Sequence, residues 1–342
     1  MSPPPPRLKF VSDESPGISR RRRGKGFSYR LPDGTLLKDD AHLARIKALA
    51  IPPAYRSVWI CPIPHGYLQA TGRDAANRKQ YRYHTEYQSW RQTQKFNRMV
   101  EFGQALPKLR RQVNRDLKGR SLTRQRVVAA AVRLMDLTLI RAGHGGETDG
   151  KPTFGLATLR EQHLKRKGKH LQLDFRGKSG QLQHREIDAP AVARVLRKCH
   201  GLPGRELFRY KNEDGEVDHI DAGDVNDYLA EHSGQDMSSK DFRTWGGTVL
   251  AACRLACVDR EDSQAKRDRQ IVAAVKEVAS ALGNKPATCR KYYIHPAVLL
   301  AFEEDRLGAA FADCRQLAGR PAKTQLSRVE KAVLDLLIEA RV

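Results

Sequence analysis

The hydrophobic pattern of this 342-residue chain changes period once, near residue 93, and that change limits what it can fold into. Before it, short apolar runs lie between turn signals. Phe27 to Tyr29, Val58 to Cys61 and Tyr67 to Thr71 read as strands, separated by Pro32-Asp33-Gly34 and by the Pro62 to Gly66 turn. One helix is expected over His42 to Ala50, stopped by Pro52-Pro53. After residue 93 the period is helical. Val127, Val128, Ala131, Leu134, Leu137 and Thr138 form one stripe, with Gly143 as its expected stop. Further helices are expected near Asp221, from Ser238 with a Ser238…Asp241 capping box, over Gln270 to Leu282 ended by Gly283, and over Ser327 to Val342. A strand group interrupts them: Thr153 to Leu159, then Leu171, Leu173 and Phe175, a Gly177-Lys178-Ser179-Gly180 turn, and a return strand through Leu182.

The expected fold is therefore α+β, with three parts. Residues 1–26, rich in proline and arginine, read as a tail. Residues 27–95 form a small β-rich domain, and residues 96–342 a larger, mainly helical one carrying a small three-stranded sheet or hairpin. No run of about 18 apolar residues exists to span a membrane, and the start lacks the apolar core of a secretory signal. Six scattered cysteines without a Cys-x-x-Cys pair argue against a disulfide framework and for an intracellular chain.

Charge names the partner class. Of the net +23, the first 120 residues carry +16, from 25 Lys and Arg against 9 Asp and Glu. A front part this basic calls for a polyanion, nucleic acid first and a membrane surface or ribosome next. The stretch Arg73 to Arg98 interleaves cations with aromatics, and Gln69, Tyr67, Arg73, Arg78, Lys79, Tyr81 and Tyr83 are its candidate DNA contacts, with Lys240 further on. For Tyr81, Tyr83 and Trp90, packing into a small core is an equal alternative.

Common catalytic signatures are missing. There is no phosphate loop ending in Gly-Lys-Ser/Thr, no His-Glu-x-x-His, and no carboxylate cluster of the two-metal kind. Gly143-His144-Gly145-Gly146 follows a helix rather than a strand and makes a poor dinucleotide loop. Five residues remain that together could move a phosphoryl group without a metal: Arg141, Lys178, Arg243, Asn284 and Tyr293. Guanidinium forks hold phosphate oxygens, and a phenol can be a nucleophile. Singly, each has an ordinary reading, and spacing does not bring them together.

A resemblance does. Leu68-Gln69-Ala70-Thr71-Gly72-Arg73-Asp74 with Asn77-Arg78-Lys79-Gln80-Tyr81-Arg82-Tyr83-His84 resembles the DNA-clamping N-terminal domain of bacterial and poxvirus-type IB DNA topoisomerases. Ile140-Arg141-Ala142-Gly143, Thr153 to Leu159, Phe175 to Gly180, Lys240 to Trp245 and Leu282 to Pro286 through Tyr293-Ile294-His295-Pro296 are similar, in the same order, to the catalytic domain. The resemblance implies a clamp around duplex DNA and relaxation of supercoils through a 3′-phosphotyrosyl intermediate, without ATP, metal or other cofactor, by a monomer in the bacterial cytoplasm, at the nucleoid. It implies Tyr293 as nucleophile, Arg141 and Arg243 as transition-state stabilisers, Lys178 as general acid and Asn284 as a donor to a non-bridging oxygen. Asparagine rather than histidine there points to the bacterial branch. Tyr292 stands where the family has a small residue; the nine-residue step from Asn284 and the following Ile-His-Pro select Tyr293. Two other readings compete: a tyrosine recombinase, which usually shows His-x-x-Arg where this chain has Lys240-Asp241-Phe242-Arg243, and a non-enzymatic basic DNA-binding protein, which leaves the ordered motifs unexplained.

Overall fold

The structure is a computed structural model and describes residues 7–143, 145–167, 170–234, 237–308, 311 and 324–340. The chain divides into two units, residues 1–95 and 96–342. Prolines 3–6 of the expected tail, and His144, lie outside the described residues.

The first unit is a five-stranded antiparallel sheet in the order β2-β1-β3-β4-β5. Its strands are β1 (Ile18–Arg23), β2 (Gly26–Arg30), β3 (Arg56–Ile60), β4 (Leu68–Arg73) and β5 (Lys79–Tyr83). Helix α1 (Asp40–Ala48), capped by the Asp39 carboxylate on His42 N, covers one face. Between them Ile18, Leu37, Ile46, Val58, Ile60 and Ala70 make a small core. The arginine run was expected in a tail; instead it is a strand. Ile18 is fully buried opposite Ile60, and Arg21 to Arg23 pair with β2. The backbone is satisfied by its neighbours, so exposed guanidiniums cost little there. Arg20 donates to the carbonyls of Ile51, Pro52 and Tyr55 and lies 4.2 Å from the Phe27 ring.

Helix α2 (Thr85–Leu117) begins in the first unit and continues into the second. There α3 (Arg124–Thr138) is almost wholly buried. Against it pack α4 (Pro190–His200), α5 (Ala222–Ser233) and α6 (Ser239–Ala256), and against α6 pack α7 (Gln264–Leu282), α8 (Pro286–Tyr293), α9 (Pro296–Glu303) and α10 (Arg328–Glu339). A three-stranded antiparallel sheet, β8 (Leu164–Lys167), β9 (His170–Arg176) and β10 (Leu182–Ile187), has β9 in its centre, and two short hairpins complete the unit: β6 (Gly146–Thr148) with β7 (Lys151–Thr153), and β11 (Arg209–Lys211) with β12 (Val217–His219). A buried ion network ties four helices. Arg110 holds both oxygens of Asp136 at 2.9 Å and both oxygens of Glu330, which also accepts from Trp245 on α6.

Two local expectations fail for one reason each. Helix α3 stops at Leu139, in the left-handed region at φ 55°, not at Gly143. Arg243 takes the Leu139 carbonyl, which removes it from the helix. The strand expected over Thr153 to Leu159 is only the short β7 followed by a 3₁₀ turn, Leu156–Thr158. Gly143 (φ +80°) and Gly155 cross here so closely that a Cβ on either would sit 2.4 Å from the other's Cα. That crossing lets Leu156 N and Ala157 N donate to the Arg141 and Ala142 carbonyls at 2.8 and 2.9 Å, which fixes the backbone of Arg141.

Candidate active site

The site is assembled around the end of α7. Gly283, at φ +60°, closes the helix: Gly283 N bonds to Ser280 O and Asn284 N to Ala279 O, a Schellman arrangement. The last carbonyls of a helix lack partners within it and carry its partial negative charge. Here three successive ones each receive an arginine. Arg185 Nη2 donates to Ala281 O at 2.5 Å, Arg243 Nη2 to Leu282 O at 2.8 Å, and Arg141 Nη1 to Gly283 O at 3.4 Å. Arg141 also donates to Asn284 Oδ1, and Arg243 to Leu139 O. One turn thus orders Arg141 from the end of α3, Arg243 from the first turn of α6, and Asn284.

The following helix brings the phenol. Pro286 starts α8 and Tyr293 ends it. The Arg243 guanidinium carbon lies 5.2 Å from the Tyr293 ring centre, and the two side chains are hydrogen-bonded. Tyr292 is exposed and turned to Lys291. Of the two adjacent tyrosines, Tyr293 is the one against the arginines. Helix α6 meets α8 at Gly247, where a Cβ would lie 2.6 Å from Tyr293 O.

The electrostatics suit an anion. Arg243 is 4% exposed, and burial, reinforced by the nearby Arg141 charge, pushes its pKa down to about 10. It stays protonated at neutral pH. Among the described residues neither Arg141 nor Arg243 has a carboxylate partner. Two buried N–H donors, Arg243 Nε and Asn284 Nδ2, have no acceptor. Unpaired buried donors cost free energy unless an acceptor arrives; a phosphate has the charge and oxygens to serve.

Lys178 stands apart from this cluster. It is exposed at the tip of the β9–β10 hairpin, where Ser179 (φ 61°) and Gly180 (φ 73°) make the turn. His295, two residues after the tyrosine, is uncharged at neutral pH. Its Nδ1 accepts from Ala297 N as the cap of α9, and burial pulls its pKa down to about 4.

The expected DNA contacts of the first unit divide. Gln69 is 2% exposed, and its amide is fully used by Arg45, Pro64 O and Gly66 O. Tyr67 is buried between Phe10 and Tyr87. Both side chains are thus engaged within the first unit. Tyr81 is 48% exposed and stacks on half-buried Tyr83, while Lys79 lies 5.6 Å from the Tyr81 ring. Arg73 and Arg78 are exposed beside Asp74 and Asn77, and Lys240 is exposed at the start of α6. Unexpected is Asp13, whose carboxylate accepts from Thr71 at 2.8 Å and pairs with Lys79 at 2.6 Å. Sequence reading also passed over Arg185 and Gln183, which carry no motif signal beyond lying on the return strand of the lysine hairpin.

A family model described as eukaryotic DNA topoisomerase I, catalytic core, matches residues 84–310, and one described as bacterial DNA topoisomerase IB, N-terminal domain, matches residues 26–74. The chain is similar to DNA topoisomerase 1B of Acanthamoeba polyphaga mimivirus, 29% identical over 285 residues, covering 81% of this chain and 85% of that protein. It is also similar to DNA topoisomerase 1 of Mycosarcoma maydis (26% identity, 46% of this chain, 17% of that protein) and of Daucus carota (27%, 46% and 20%). With the catalytic-core model spanning well over half of its length and the bacterial-type N-terminal model lying before it, the chain belongs to the type IB DNA topoisomerases.

Proposed function

We propose that this topoisomerase relaxes duplex DNA through a covalent link from Tyr293 to a 3′-phosphate. The observation that carries the reading is the convergence of Arg141, Arg243 and Asn284 on the Leu282–Asn284 turn, with the Tyr293 phenol against Arg243. The Tyr293 oxygen attacks phosphorus and loses its proton to water. The bond from phosphorus to the 5′-oxygen breaks, and that oxygen takes a proton from the Lys178 ammonium. Arg141 and Arg243 hold the non-bridging oxygens, where charge grows in the transition state, and the free Asn284 amide N–H adds one donor. Rotation of the free strand releases torsion, and the 5′-hydroxyl then reverses the step. One phosphodiester is exchanged for another, so neither ATP nor a metal ion is required.

In this reading residues 27–95 and residues 96–342 both engage duplex DNA, with Arg73, Arg78, Lys79, Tyr81, Tyr83 and Lys240 on phosphates and sugars. The enzyme acts as a monomer, in the cytoplasm at the nucleoid. The described residues contain no helix long and apolar enough to cross a membrane. The test is relaxation of supercoiled plasmid in EDTA without nucleotide. The reading predicts relaxed circles with the wild-type chain and none with Tyr293→Phe; a demand for magnesium or nucleotide contradicts it.

A further inference from the structure

The hairpin that carries Lys178 is tied to the turn that carries Asn284 by two side chains of its return strand. Gln183 lies against both glycines that precede the functional residues. A Cβ on Gly177 would meet Gln183 Cγ at 3.2 Å, and a Cβ on Gly283 would meet Gln183 Nε2 at 2.5 Å. Arg185 fixes that amide, donating from Nη2 to Gln183 Oε1 at 2.8 Å and to Ala281 O at 2.5 Å, while its Nη1 donates to His184 O at 2.8 Å. The guanidinium is half-buried, and its charge is felt at Arg243. Its acceptors are neutral oxygens, with no carboxylate partner among the described residues.

We infer that Gln183 and Arg185 are positioning residues for the general acid: they set the base of the Lys178 hairpin on the Ala281–Asn284 turn, so that lysine and arginines address one phosphate. The inference rests on the proposed role of Lys178. Neither residue touches the reacting atoms; each acts through the hairpin. Displacing a catalytic group by about 1 Å can cost on the order of 10²-fold in rate.

The leaving group separates this from a structural role. An alkoxide must be protonated as it departs. A thiolate, from a thiol of pKa about 8.5 against roughly 16 for water, departs without an acid. The experiment is single-turnover cleavage of a duplex bearing a cleavage site mapped on plasmid DNA, made with either oxygen or sulfur at the 5′ bridging position. Lys178→Ala is expected to lose about 10²–10⁴-fold with oxygen and to recover with sulfur. Arg185→Ala and Gln183→Ala are expected to lose on the order of 10²-fold with oxygen, to come within a few-fold of wild type with sulfur, and to add little to Lys178→Ala in the double variants. Arg185→Lys, unable to reach both acceptors as a fork does, should behave as Arg185→Ala. The inference is overturned if Gln183→Ala and Arg185→Ala are equally slow on both substrates, are as fast as wild type on oxygen, or multiply the Lys178→Ala defect. If Arg185→Ala does not fold, Gln183→Ala alone decides. Failure of sulfur to rescue Lys178→Ala would instead remove the general-acid role itself, and the inference with it.

Discussion

The Arg243 guanidinium carbon lies over the Tyr293 ring, 5.2 Å from its centre, and Arg243 also bridges the ends of α3 and α7 through the Leu139 and Leu282 carbonyls. The residue is thus both an electrostatic and a geometric element. Arg243→Ala should lower the rate of covalent adduct formation by about 10²–10³. Arg243→Lys should recover little, because a single ammonium cannot hold two carbonyls and present N–H groups to a phosphate. Single-turnover cleavage measures both; a lysine variant near wild type would mean that charge alone matters.

Gly247 sets the distance between α6 and α8. A methyl group there would lie 2.6 Å from Tyr293 O and 3.1 Å from Leu282 Cδ1, so one of the two functional segments must shift. Gly247→Ala should destabilise the fold by about 1–3 kcal/mol and reduce cleavage on the order of 10²-fold, with DNA affinity kept. Full activity in this variant would show that the Tyr293 backbone tolerates displacement.

His295 makes stability pH-dependent. Folded, it stays neutral until about pH 4; unfolded, it gains a proton near 6.5. Between those values the unfolded chain binds more protons, so the stabilisation present above pH 6.5 is lost as pH falls toward 4. Asparagine can keep the α9 cap without titrating. Denaturant unfolding at pH 7 and pH 5 should therefore show wild type losing roughly 2 kcal/mol more than His295→Asn. Equal losses would assign the pH dependence to other groups.

Asp13 occupies a cation that the proposed DNA face needs. Burial works to raise its pKa, but the Lys79 ammonium and the Thr71 hydroxyl outweigh that and hold the carboxyl ionised. In Asp13→Asn, Lys79 is free for a phosphate. Duplex binding should tighten, and the slope of log K against log salt should steepen by about one. An unchanged slope would place Lys79 away from DNA.

Much of the site was legible because its residues sit at ends of elements that announce themselves. Gly283 stops α7 where the apolar stripe ends, the Ser238–Asp241 capping box starts α6 one turn before Arg243, and the Gly177 to Gly180 turn exposes Lys178. The convergence itself was not legible from spacing. It depends on arginines from three distant segments satisfying consecutive carbonyls of one helix end, which only the tertiary fold brings about. The arginine run misled for a related reason: strand β1 owes its place to hydrogen bonds with β2 and β3 and to a single buried residue, Ile18, not to an alternating pattern. The internal bonds of Gln69 were not legible either, because a polar residue on a strand of a basic region can also serve nearby carbonyls.

The central claim is that the Tyr293 oxygen becomes joined to DNA. Enzyme mixed with end-labelled duplex, stopped with detergent and run on a denaturing gel, measures it directly. The account predicts a labelled protein–DNA band for wild type and for Tyr292→Phe, and none for Tyr293→Phe. A band that survives in Tyr293→Phe, or vanishes only in Tyr292→Phe, would contradict it.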